Sequence, residues 1–209
     1  MALRIKICGI TREEDALAAI DAGADALGFV FVPGTPRFIE PGRAAAIARG
    51  LPPFVSRVGL FVNAAPELIE ATVAEVGLDT VQLHGDEAPE VGRSLLGRVR
   101  VIQAFRVQGP ETLHRLPDHR ESTHAWLLDA YVPGASGGTG ARFDWTLAVQ
   151  ARDLGHPLIL AGGLKPENIA DAVRQVRPFA VDVSSGVESA PGRKDPEKVR
   201  RLIAAARSA

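Results

Sequence analysis

The chain's one cysteine, Cys8, stands in Lys6-Ile7-Cys8-Gly9-Ile10-Thr11, at the end of a short apolar run and directly before a glycine. A thiolate there is a nucleophile or a base, and Lys6, two positions earlier, shares its face of an extended strand. Free cysteine is also among the most buried residue types, so the thiol alone decides nothing. Other chemistry-bearing residues follow apolar runs in the same way. Asp129 closes Trp126-Leu127-Leu128-Asp129, where a carboxylate is costly unless it is paired or used, and where desolvation favours the protonated acid. His84 ends Gln82-Leu83-His84, and Asn63 follows another apolar run. Arg37 lies in the proline-stiffened Thr35-Pro36-Arg37-Phe38, where its planar fork suits a carboxylate. Ala161-Gly162-Gly163-Leu164 and Asp182-Val183-Ser184-Ser185-Gly186 offer the backbone N–H groups and hydroxyls of a phosphate cradle. The histidines show no metal-ligand spacing and there is no thiolate cluster, so no metal is expected. Segment 134–140, GASGGTG, lacks the lysine and spacing of a nucleotide loop; it reads as a lid, with Arg142 contributing to closure.

These residues need a scaffold that gathers strand ends. Apolar, often β-branched runs occur at 3–7, 26–32, 54–62, 80–83, 99–105, 125–128, 157–161 and 179–183. Each is followed by a helix signal. Thr11 with Glu14 forms a capping box for a helix over 12–22 that Gly23 closes, and Pro41 sits in the first turn of the next. Further helices are expected from Asn63 or Ala64, from about Ala88, around 111–116, from Asp144, from Pro166, and from Asp195 with Pro196 at its first position. Strict alternation implies parallel strands with right-handed crossovers, and eight units close into a (β/α)8 TIM barrel, one domain over 1–209. An open doubly wound sheet competes, but no dinucleotide fingerprint supports it. In such a barrel the C-terminal strand ends carry the active site and the loops after strands 7 and 8 bind phosphate.

With 46% apolar and 23% charged residues and a formal charge of -1, the composition is that of a globular protein without a field for nucleic acid or anionic membrane. One cysteine excludes an intramolecular disulfide and fits a reducing compartment. No signal-peptide pattern and no run approaching the ~18 apolar residues of a membrane span are present, so a cytoplasmic protein is expected, monomeric or homodimeric.

Four stretches carry a resemblance: Lys6-Ile7-Cys8-Gly9-Ile10-Thr11, the segment 23–31 (GADALGFVF), Gln82-Leu83-His84-Gly85, and the segment 180–188 (AVDVSSGVE). Together, in this order, they resemble the phosphoribosylanthranilate isomerase family of tryptophan biosynthesis from end to end. The resemblance implies a (β/α)8 barrel, no cofactor, and an Amadori rearrangement of N-(5-phosphoribosyl)anthranilate to 1-(2-carboxyphenylamino)-1-deoxyribulose 5-phosphate. It implies Cys8 as base, Asp129 as acid and Arg37 as holder of the anthranilate carboxylate, although Thr35-Pro36 departs from the family's usual residues before that arginine. Another phosphosugar barrel, such as an epimerase or an indole-glycerol phosphate synthase, is the alternative; it would need a metal set or catalytic lysines, and Lys6 is the one lysine on a strand.

Overall fold

A run such as Val101-Ile102-Gln103-Ala104-Phe105 is apolar on both faces, which suits a strand covered by side chains on one side and helices on the other. In a computed structural model describing residues 2–130 and 144–209, with Ala130 as backbone only, eight such strands close a parallel barrel in sequence order. They are β1 (Arg4–Cys8), β2 (Ala26–Val30), β3 (Ser56–Phe61), β4 (Thr80–Leu83), β5 (Arg100–Val107), β6 (Ala125–Ala130), β7 (Leu158–Leu160) and β8 (Ala180–Val183). The helices are α1 (Glu13–Asp21), α2 (Pro41–Arg49), α3 (Pro66–Val76), α4 (Pro89–Leu95), α5 (Trp145–Asp153), α6 (Ile169–Val176) and α7 (Pro196–Arg207). Segment 134–140 and Arg142 lie outside the described residues.

Register fixes which side chains face inward. Cys8 pairs with Gly28, Gly28 with Val58, Val58 with Thr80; Gln82 pairs with Ile102, Arg106 with Asp129, and Lys6 with Asp182 where β8 meets β1. Side chains alternate faces, so all of these project into the barrel. Val58, Ile102, Ala104, Ala125, Leu127, Ile159, Ala161 and Ala180 fill its apolar interior. Ile5, Ile7, Leu27, Phe29, Val101, Trp126 and Val181 project outward and are covered by helix faces such as Ala16 and Ala19 of α1 and Leu202 of α7.

Several local expectations change. Thr11 does not cap α1: its hydroxyl donates to the Gly192 carbonyl at 2.7 Å, Arg12 is the N-cap residue, and Glu14 pairs with Arg12. Between β5 and β6 the expected helix becomes two 3-10 turns, Pro110–Arg115 and Pro117–Ser122; Pro117 has no N–H with which to continue a helix. The sixth helix starts at Ile169, not Pro166, because Asn168 braces the preceding turn, accepting from Lys165 N and donating to Gly163 O, both at 2.9 Å. Asp144 and Asp195 do cap α5 and α7. A two-stranded hairpin, β9 (Glu188–Ala190) with β10 (Arg193–Lys194), was not expected; it follows β8 and reaches Arg37 through Glu188 and Ser184 through Lys194.

Candidate active site

The mouth is built on a polar layer inside the barrel. Lys6 is 4% exposed, its Nζ 3.0 Å from Asp182 Oδ1 and donating to Gln82 Oε1 at 2.8 Å. Burial opposes its charge, but Asp182 and Cys8 outweigh burial and hold its pKa above the ordinary lysine value. Held by the Asp182 carboxylate and the Gln82 oxygen, Lys6 forms a charge anchor inside the barrel.

Cys8 lies above this layer, 5% exposed. Gly28 on β2 gives it room: a Cβ there would stand 2.7 Å from Cys8 Sγ and 3.1 Å from Lys6 Cε. Burial raises the Cys8 pKa, Lys6 and Lys194 pull it down, Asp182 pushes it up, and the net direction is upward. Across the mouth on β6, Asp129 is 9% exposed, with Oδ2 3.5 Å from His84 Nε2. His84 follows β4, its Nδ1 2.8 Å from Gln82 Nε2.

The loops after β7 and β8 complete the site. Gly162 and Gly163 have φ of 80° and 64°, a left-handed pair that L side chains rarely adopt, leaving this loop without side chains at its turn. Gly186 packs against the Leu164 carbonyl, which joins the two loops. Ser185 and Gly186 lie in a 3-10 turn, and Ser184 Oγ is buried with no hydrogen-bond partner among the described residues. Asp182 is not in this cradle; it is the counter-ion of Lys6.

Arg37 is committed on one edge. Its Nε and Nη2 donate to Glu188 Oε1 and Oε2 at 2.8 and 2.7 Å. Lys194, with no side-chain exposure, donates to Glu188 Oε1 at 2.8 Å and to Ser184 O at 3.3 Å. Burial opposes the Glu188 charge, but Arg37 and Lys194 hold its pKa below the usual carboxylate value. Asn63 is a loop brace instead of a site residue: its N–H donates to Glu87 and its Oδ1 accepts from Asp86 N. The structure therefore gathers Cys8, Asp129, His84, Gly162, Gly163, Ser184, Ser185 and Gly186 around one mouth, with Arg37 at its edge and Asp182 beneath.

Sequence reasoning missed Gln82, Gly28, Glu188, Lys194 and Arg106 as parts of this site. Arg106, in register with Asp129, has a buried Nε without a hydrogen-bond partner among the described residues, and its Nη2 reaches only the His84 carbonyl at 3.4 Å. Counting by twos from His84 and Asp129 would have turned Gln82 inward; nothing local marks the hairpin residues. Among the described residues no group of three or more His, Cys, Asp or Glu side chains is arranged to hold a metal ion.

Comparison with known proteins places this arrangement among relatives. A family profile described as N-(5'phosphoribosyl)anthranilate (PRA) isomerase matches residues 5–205. A protein from Citrifermentans bemidjiense named N-(5'-phosphoribosyl)anthranilate isomerase is 59% identical over 204 residues, covering 98% of this chain and 97% of that one. Phosphoribosyl anthranilate isomerase from Thermotoga maritima superposes with a TM-score of 0.93 at 47% identity, covering 99% of this chain and 100% of that one. Monomers generated from its dimeric form superpose with a TM-score of 0.89 at 43% identity, with the same coverage. A further structure of the isomerase, in complex with reduced 1-(o-carboxyphenylamino)-1-deoxyribulose 5-phosphate, superposes at 0.90 with 45% identity, again covering 99% and 100%.

Proposed function

The chain belongs to the N-(5'-phosphoribosyl)anthranilate isomerase family and is an aldose–ketose isomerase of tryptophan biosynthesis; on that premise we propose that Cys8 is the base and Asp129 the acid of its rearrangement. The substrate, N-(5'-phosphoribosyl)anthranilate, is an aminated furanose. Opening it requires a proton on the ring oxygen as the C1' nitrogen closes a Schiff base. We assign that proton to Asp129 at the end of β6. The Schiff base acidifies the C2' hydrogen, which the Cys8 thiolate takes, leaving an enolamine. A proton returned to C1' and one lost from the C2' hydroxyl then give the ketone, 1-(2-carboxyphenylamino)-1-deoxyribulose 5-phosphate, and restore both groups. Each proton transfer by a positioned group contributes on the order of 10²–10⁴ in rate.

The observation that carries this reading is the inward placement of Cys8 and Asp129 at the C-terminal ends of β1 and β6, with β7 and β8 between them. The phosphate is assigned to the loop carrying Gly162 and Gly163 and to Ser184, Ser185 and Gly186; the left-handed glycine pair and the Ser184 hydroxyl, without a partner among the described residues, support it. Arg37 keeps Nη1 for the anthranilate carboxylate, since Glu188 occupies its other edge. A single thiol that must stay reduced fits a cytoplasmic location.

A homodimer is the assembly we assign. Phe54, between Pro53 and Val55 in the loop before β3, is 96% exposed at the N-terminal end of the barrel, and Phe179 before β8 is also exposed there. A second copy covering this end would leave the mouth open. The activity is tested by mixing the purified protein with N-(5'-phosphoribosyl)anthranilate and following loss of anthranilate fluorescence, with the product identified by chromatography. Isomerisation to the deoxyribulose phosphate supports the reading, and an unchanged substrate refutes it.

A further inference from the structure

Lys6, Gln82, His84 and Asp129 form a chain of contacts from the barrel interior to the acid, and the direction of the two hydrogen bonds in it follows from Lys6. An ammonium only donates, so the Gln82 atom 2.8 Å from Nζ is the amide oxygen. The opposite end of that amide is then its NH2, which only donates and lies 2.8 Å from His84 Nδ1. Nδ1 must therefore accept, and in the neutral ring the N–H sits on Nε2, the nitrogen 3.5 Å from Asp129 Oδ2. Asp182 completes the anchor by pairing with Lys6.

We propose that Gln82 is a positioning residue that fixes His84 in the Nε2–H tautomer and aims this N–H at Asp129, with Lys6 setting the direction of the amide. The proposal rests on the reading of Asp129 as the acid and states what helps that acid work. Once its proton has gone to the ring oxygen, Asp129 is a carboxylate, and the Nε2–H donor stabilises it. The other tautomer would face that new charge with a lone pair. The 3.5 Å separation is of the kind that tightens when charge develops. The interaction is strongest after proton transfer, so its loss falls on kcat and not on KM.

The test is the tautomer itself. In uniformly ¹⁵N-labelled protein at about pH 8.5, above the ordinary histidine range near 6.5, long-range ¹H–¹⁵N correlation distinguishes the two ring nitrogens; the His84→Asn spectrum assigns the signals. Wild type is expected to show Nε2–H. Gln82→Glu puts an acceptor against Nδ1 while still accepting from Lys6, and is expected to move the N–H to Nδ1. It should lower kcat by about tenfold or more with KM nearly unchanged. Nδ1–H in wild type, or Nε2–H persisting in Gln82→Glu, overturns the proposal. Should Gln82→Glu fail to fold, the wild-type spectrum still decides, and Gln82→Met, which holds neither neighbour, is expected to show mixed tautomers. If Asp129→Asn turns over like wild type while the tautomer switches as stated, the acid assignment fails and the tautomer lock stands.

Discussion

At the scale of single residues, Cys8, the base we propose, is held in a state that disfavours its thiolate. Burial raises the Cys8 pKa against the pull of Lys6 and Lys194. The Cys8 thiol itself, followed by the ultraviolet absorbance of its thiolate, is expected to ionise only above the ordinary thiol value near 8.5. Ionisation at or below that value would contradict this. Gly28 sets the space for the thiol, and Gly28→Ala forces a methyl to within 2.7 Å of Sγ. That variant is expected to lose most of its turnover and about 1–3 kcal/mol of stability, measured by steady-state kinetics and denaturant melts; full activity would show that the packing at Cys8 is loose. The positions of Cys8 and Asp129 at the barrel mouth were legible because each ends an apolar run, and a barrel collects strand ends. Lys6 was only half legible: its face was readable from its i, i+2 spacing to Cys8, but the Asp182 pairing that makes it a charge anchor is a contact between the first and last strands.

At the scale of elements, the β9–β10 hairpin ties the mouth together. Glu188 bridges Arg37 from the β2–α2 loop and Lys194 from the hairpin itself, while Thr11 and Asp15 at the start of α1 hold Gly192 O and Lys194 N. Glu188→Ala leaves two cations facing each other with little solvent, and is expected to cost about 3–5 kcal/mol of stability and to raise KM through a misplaced Arg37; a melt unchanged from wild type would refute the clamp. The same group gives an acid limb. The folded chain releases the Glu188 proton more readily than the unfolded chain, so its stabilisation is full above the unfolded carboxylate value and lost as pH falls through the depressed folded one. In Glu188→Gln that part of the acid slope should disappear. None of this was readable beforehand, because Arg37 and Glu188 are 151 positions apart and no local pattern links them. The capping box at Thr11 failed for the same reason: Gly192, brought in by the hairpin, took the hydroxyl.

At the scale of the whole molecule, the barrel was readable from its alternation of strand runs and helix signals, since eight such units leave few ways to bury every apolar face. Where a boundary slipped, tertiary contacts or a proline overrode the local signal, as at Pro166 and Pro117. The division of labour between the two ends of the barrel also yields a prediction. Phe54→Asp at the N-terminal end is expected to halve the mass measured by light scattering and to leave kcat unchanged; a wild-type mass that is already monomeric would overturn the dimer. The central claim, an acid on β6 and a base on β1 sharing one substrate, is tested most directly by the turnover of Cys8→Ala and Asp129→Ala on N-(5'-phosphoribosyl)anthranilate, with circular dichroism establishing that each variant is folded. Each is expected to lose at least about 10²-fold in kcat, and near-wild-type turnover in either folded variant would contradict the account.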